Sequence, residues 1–374
     1  MLAAKNSDTS PPVPVPVPVP QYPNMPTASE RHADNWPDSQ SLSTSKGGNV
    51  VMRELTIDDF VERALEQPNQ PIYHYTSSSG MLGIMKAKPT QLWASEATAL
   101  NDVTEVRNGW EFISAWLQTQ DSTDPIIRAM RDTTEADFIN KASGIYVLSS
   151  TTRNDDSQLW ISYGEAGKGY ALELDPVVPL LIRNSEIRPV DQVLPTGTFR
   201  IQLPIEVSRW YHVLYDDDKK RLALYQFAEN ARRIQANLAN YLLDDETRDS
   251  EFQGHIAFGL ATIARFFKSE TLSGENEVRA TIAMFGSESG SLQQFRNTNL
   301  GITTYIPVTA ATELPIPDPP VVYQDDDISG LGLPVKSIII GPQLKRDGQQ
   351  RTVEGLCERA NLHGVEIRKS KVPF

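Results

Sequence analysis

Cysteine is nearly missing. A single Cys357 in 374 residues excludes an intramolecular disulfide and a cysteine-rich zinc site. No apolar run reaches the ~18 residues a membrane-spanning helix needs, and the opening MLAAKNSDTS has no basic stretch leading into an apolar one. The expectation is a soluble protein of the cytoplasm with no membrane partner. Positive charge is also short, with 35 Lys and Arg against 48 Asp and Glu and a formal net charge of −13. That balance argues against a general cationic surface for nucleic acid and leaves room only for a local basic groove. No His-rich ligand set accompanies the acidic clusters, so no metal is expected.

What is present supports a folded body: 39% apolar residues, 12 Phe, 12 Tyr and 6 Trp supply a core. At about 150 residues per domain the length fits two domains, or one α+β domain with insertions. Residues 1–47 hold 9 of the 26 prolines, including the Pro-Val alternation Pro12 to Pro20, and read as a disordered, polyproline-like tail. That tail is either a spacer or a ligand for an aromatic groove. Residues 48–374 then form one body.

Hydrophobic periodicity within the body predicts helices over 56–66, 77–87, from 101 onward, 124–141 and 348–361. A long helical section over about 219–268 is expected as two helices, 219–243 and 251–268. Strands are predicted over 72–75, 91–95, 144–149, 169–174, 200–214, 277–285, 301–308, 335–341 and 364–369. Strands and helices mix without regular βαβ alternation. The expected fold is therefore α+β, a mixed or antiparallel sheet with surrounding helices and a helical insertion.

Five segments in order carry a family resemblance. They are Ile72-Tyr-His-Tyr-Thr-Ser77; Leu100-Asn-Asp-Val-Thr-Glu105; Tyr146-Val-Leu-Ser-Ser150 with Leu159-Trp-Ile-Ser-Tyr163 and Gly169-Tyr-Ala-Leu-Glu-Leu-Asp175; Phe267-Lys268 with Glu275-Asn-Glu-Val-Arg279; and Ile338-Ile-Ile-Gly-Pro342 with Ser370-Lys-Val-Pro-Phe374. Over residues 70–374 this resembles the bacterial domain of unknown function family 2971, which implies no activity or cofactor.

The residues themselves suggest chemistry. His74, beside Tyr75 and Thr76 at a strand-to-helix junction, can offer a ring nitrogen to a ligand hydroxyl, or can be a structural histidine. Glu275 and Glu277 point to one face at period two, where they can bind a cationic or hydroxyl-bearing ligand. Alternatively Glu277 and Arg279 form an ion ladder on a solvated face. Ser149 and Ser150 end a strand before a polar turn, and Trp160 and Tyr163 share a helical face, as core or as stacking platform. Asp102 and Glu105 could join Glu275 around a hard metal, although residues of this kind more often serve as a helix cap and surface charges. Gly164 to Gly169 looks like a phosphate loop but has its first glycine misplaced, and Lys168 is followed by Gly.

This layout resembles the ADP-ribosyltransferase superfamily. The resemblance implies NAD as substrate and a protein or nucleic-acid acceptor. His74, Tyr75, Thr76, Ser149, Ser150, Trp160 and Tyr163 would contact NAD. Glu277 would stabilise the oxocarbenium-like ribose and Glu275 would orient the acceptor. Tyr75 replaces the glycine of the family's His-Gly-Thr pattern, and the 219–268 helices lie outside its minimal core. The alternative is a noncatalytic ligand-sensing or protein-interaction module.

Overall fold

The computed structural model describes residues 61, 64–99, 105–182, 190–194, 197–201, 207–238, 244–284, 292–298, 301–310 and 332–373. The tail over 1–47, residues 56–60, 62 and 63 of the helix expected at 56–66, and Asn101 and Asp102 lie outside these residues.

The chain runs β1 (Ile72–Thr76), α1 (Ser78–Lys86), β2 (Leu92–Glu96), α2 (Glu105–Gln118), α3 (Pro125–Asp132), α4 (Glu135–Ala142) and β3 (Ile145–Thr151). It continues through α5 (Ser157–Ser162), β4 (Tyr170–Leu174), β5 (Leu180–Ile182), β6 (Val190–Leu194), β7 (Gly197–Ile201) and β8 (Tyr211–His212). Then come α6 (Asp217–Leu238), α7 (Asp245–Ala264), β9 (Glu277–Ala283), β10 (Gln294–Thr298), β11 (Gly301–Ala310), β12 (Val335–Ile340), α8 (Gln349–Arg359) and β13 (Glu366–Lys369). This is an α+β body. All strands but the β6–β7 hairpin join one 11-stranded sheet, antiparallel except where β12 meets β13.

Local chemistry sets the breaks. The helix expected over 124–141 is two helices. Thr133 adopts an extended backbone, and Thr134 and Asp137 form a reciprocal capping box that starts α4. Asp124 caps α3 by accepting from Ile126 N at 2.8 Å, with Pro125 in the first turn. The two helices expected over 219–243 and 251–268 are α6 and α7, the second starting earlier than expected, at an Asp244 cap. Within the strand expected over 200–214, β7 ends at Ile201, residues 202–206 lie outside the described residues, and further on Val207, Tyr211, His212 and Leu214 make β-pairs.

The sheet separates two cores. On β3, Ile145 and Val147 pack with the helical layer of α2, α3, α4, α6 and α7, while Tyr146 and Leu148 pack with α1 and α8 on the other face. On β9, Ala283 belongs to the helical side, and Val278, Ala280 and Ile282 to the opposite side. By the same alternation, Glu277 and Arg279 point into the helical layer.

β3 is where the sheet forks. Along one edge β9 pairs with its full length, from Ile145↔Ala283 to Thr151↔Glu277. Along the other edge β2 takes only the beginning (Tyr146↔Glu96, Val147↔Ser95), and β1 only the end (Thr151↔Tyr73). Between them Leu148, Ser149 and Ser150 have no strand partner on that edge among the described residues. The far side of β1 is fixed by β4 over five residue pairs, and Gly169 lets the β4 approach come close. A Cβ there would sit 2.1 Å from the Thr76 carbonyl oxygen.

Candidate functional site

The fork opens into a cavity of about 480 Å³, within the range of roughly 300–1,000 Å³ typical of small-molecule sites. Of the residues singled out in the sequence, His74, Tyr75, Ser149, Ser150, Tyr163, Glu275 and Glu277 all line it. They come from β1, β3, the end of α5 and the approach to β9, segments up to two hundred residues apart.

The structure does not bring two of the expected contacts there. Trp160 is fully buried. It packs edge-on against Tyr75 with ring centroids 4.9 Å apart, and its indole donates to Asp155 Oδ1 at 2.9 Å, so it is a core residue. Thr76 is not among the cavity-lining residues. It sits over the first turn of α1, against Gly80.

His74 fills the fork. Its Nδ1 lies 3.0 Å from the Ser149 carbonyl oxygen. A carbonyl can only accept, so Nδ1 carries the hydrogen and Nε2 is left as an acceptor. Burial lowers the His74 pKa, with the Ser149 carbonyl acting against it, and the ring is neutral at pH 7.

Glu277 and its neighbours form a buried ion network. Glu277 is 7% exposed and Arg279 2%. Arg279 donates from Nε to Glu277 Oε1 at 2.7 Å and from Nη2 to Oε2 at 3.0 Å. It also holds Glu105, the first residue of α2, through Nη1 and through Nη2 at 3.1 Å, and caps the Arg265 carbonyl. The solvated ladder is therefore corrected: the Glu277–Arg279 pair exists, but beneath the helices. Glu105, read as a surface charge, is 5% exposed.

Lys268 was quoted in the sequence without a role, yet it joins the two glutamates. Its Nζ lies 2.5 Å from Glu275 Oε2 and 2.8 Å from Glu277 Oε2. Backbone bonds to Leu214 on both sides fix it: Leu214 N donates to Phe266 O at 2.6 Å and Lys268 N to Leu214 O at 3.1 Å. Glu275 also accepts from the Tyr163 hydroxyl at 2.8 Å. It precedes Asn276, whose left-handed backbone (φ 43°) ends the turn before β9. Period two thus does not align the glutamates, because Glu275 is outside the strand. Lys268 does.

Burial alone would raise the Glu277 pKa. Arg279 and then Lys268 outweigh it and hold it down to about 2. Burial would lower the Lys268 pKa, but Glu277 reverses that and raises it. Tyr163 and Tyr215, whose hydroxyl oxygen accepts from Glu277 N at 2.9 Å, are both raised chiefly by burial and stay protonated. Sequence reasoning also missed Arg296 of β10 and Trp93 of β2, which line the cavity's other flank.

Among the described residues no group of three or more His, Cys, Asp or Glu could hold a metal, and no helix is long and apolar enough to cross a membrane. No family model, curated protein or solved structure matches the chain. The two resemblances therefore rest on the sequence motifs alone.

Proposed function

We propose that the cavity binds NAD or a closely related nucleotide, and that the protein is an ADP-ribosyltransferase-like enzyme. One observation carries this reading: a neutral His74 with Nε2 available as acceptor, Tyr163, and the carboxylates Glu275 and Glu277 share one cavity at the fork. In the reaction, the bond between ribose C1′ and the nicotinamide nitrogen breaks, and its electron pair neutralises the pyridinium. The ribose becomes oxocarbenium-like, and an acceptor nucleophile then attacks C1′ and gives up its proton. His74 Nε2 would take a ribose hydroxyl and Tyr163 would flank the nicotinamide. Glu277, ionised at all physiological pH, would face the developing cation, with Glu275 oriented toward the acceptor. The acceptor class is a protein or a nucleic acid, and the proposed location is the cytoplasm, where NAD is supplied.

A second reading is favoured by a different observation. Both Glu277 oxygens already accept from Arg279 or Lys268, as in a structural network, and a carboxylate so compensated offers less field to a cation. This reading is a ligand-sensing module that binds nucleotide without turning it over.

Release of nicotinamide from NAD by the full chain, with cell lysate as acceptor source, separates the two. The transferase predicts release that falls by about two or more powers of ten in Glu277→Gln. Binding without release leaves the sensor, and neither binding nor release ends both.

A further inference from the structure

The positive charges of the cavity are not equivalent. Lys268 and Arg279 are shared among Glu105, Glu275 and Glu277. Arg296, on the opposite flank, has no carboxylate within ion-pair distance among the described residues. Its hydrogen bond there goes from Nη2 to Ser95 Oγ at 2.6 Å. The guanidinium lies over a pair of aromatic rings, 5.2 Å from the Trp93 ring centre and 5.9 Å from that of Tyr305, the two rings being 5.5 Å apart. Burial lowers its pKa, with only Tyr305 acting the other way.

The sheet explains why the guanidinium is aimed. Arg296 pairs with Thr303 across β10 and β11, and Tyr305 pairs with Ser95 across β11 and β2. The side chain therefore reaches over β11 to β2 on the same face, and Ser95, Trp93 and Thr303 line the cavity with it. The neighbours Phe295 (69% exposed) and Ile302 (81% exposed) point away, so the hairpin turns its polar side inward. A guanidinium that is partly desolvated, held over aromatic rings and bonded to a hydroxyl instead of a carboxylate is matched by a bidentate oxyanion.

We infer that Arg296, with Ser95, forms a phosphate subsite of the cavity and that the ligand it takes is a nucleoside diphosphate. The diphosphate lies against the β10–β11 flank and the sugar lies toward His74. Phosphate enters here as the group that fits the fork of the guanidinium, while the cations at β9 are already paired with carboxylates. The proposal rests on the nucleotide reading above for the nucleoside, and on Arg296 alone for the phosphate.

Titration calorimetry of the full chain with ADP, adenosine and inorganic pyrophosphate tests it. Expected are binding of ADP, displacement of ADP by pyrophosphate, and adenosine bound at least about tenfold more weakly. Arg296→Gln should weaken ADP by about ten- to a hundredfold, the loss of a charged hydrogen-bonding partner, and leave adenosine unchanged. Arg296→Lys, which keeps the charge and loses the fork, should fall between. Equal ADP affinity in Arg296→Gln, or adenosine bound as well as ADP, overturns the subsite, as does failure to bind ADP at all. If Arg296→Gln does not fold, the wild-type competition decides alone: pyrophosphate that does not displace ADP overturns it. Arg296-dependent ADP binding without nicotinamide release would sink the transferase and keep the subsite. NAD turnover untouched in Arg296→Gln would do the reverse.

Discussion

Replacing Arg279 by Met tests the buried network most directly. Met roughly keeps the length of the stem and removes the guanidinium. Five hydrogen bonds go with it: two to Glu277, two to Glu105 and one to the Arg265 carbonyl. Two carboxylates, 7% and 5% exposed, then lose their main cation, although Lys268 still bonds Glu277. Breaking a buried pair by removing one partner costs about 3–5 kcal/mol, since the remaining charge stays desolvated. An exposed ladder would cost about 0–1 kcal/mol. The two estimates do not overlap, so a single measurement separates them.

Urea unfolding followed by tryptophan fluorescence at pH 7 gives the free-energy difference. A thermal scan should show a fall of about 6–10 °C, at roughly 2 °C per kcal/mol for a body this large. A loss under about 1 kcal/mol would refute the buried network and return Glu277 and Arg279 to the surface. The double variant with Glu277→Gln should lose less than the sum of the single changes, because the two residues act on one another.

Two further outcomes follow from the same geometry. Glu277 is held at about 2 against an ordinary 4.5, so its ionised form favours the folded state by about 3 kcal/mol above pH 4.5. That stability is lost as pH falls from 4.5 toward 2, because the unfolded chain takes up the proton first. Acid unfolding curves of the wild type should show the loss, and it should be flattened in Arg279→Met; a wild type equally stable at pH 3 and pH 7 contradicts it. Trp160→Ala should cost about 3–5 kcal/mol as a core cavity, whereas Trp160→Phe should leave nucleotide affinity within about twofold. A large affinity loss in a stable Trp160→Phe protein would restore Trp160 to the site.

Much of the fold was legible because its strands are short, apolar and bounded by turns. β1, β2, β3, β4, β9, β11, β12 and β13 fall within a few residues of the sequence reading. The break between α3 and α4 was readable too, in Thr134-Glu-Ala-Asp137, but helical periodicity runs through it and conceals the cap. β10 was missed because its pattern is largely exposed and polar, with Phe295 and Thr298 outside any apolar run. At the site, strand ends and turns announced His74, Ser149 and Glu277. What stayed hidden was the company these residues keep. β9 is buried on both faces, so its alternating charges read as a solvated edge when they face a second core. Glu105 and Arg279 lie 174 positions apart, and nothing local in either stretch predicts the pairing.

The fork explains how one cavity can serve opposite electrostatic demands. β3 spends one edge entirely on β9, which brings in the glutamates together with the cations that keep them ionised. It divides its other edge between β1 and β2, and that division places a neutral histidine at the branch and, by way of β2 and β11, an arginine without a carboxylate on the far flank. On the proposed reading, a ligand with phosphate at one end and a sugar about to become cationic at the other would meet complementary charge along its length. A neutral or uniformly anionic ligand would not. Charge reversal at the two ends should therefore act separately, with Arg296 governing whether a nucleotide is held and Glu277 governing what happens to it once held.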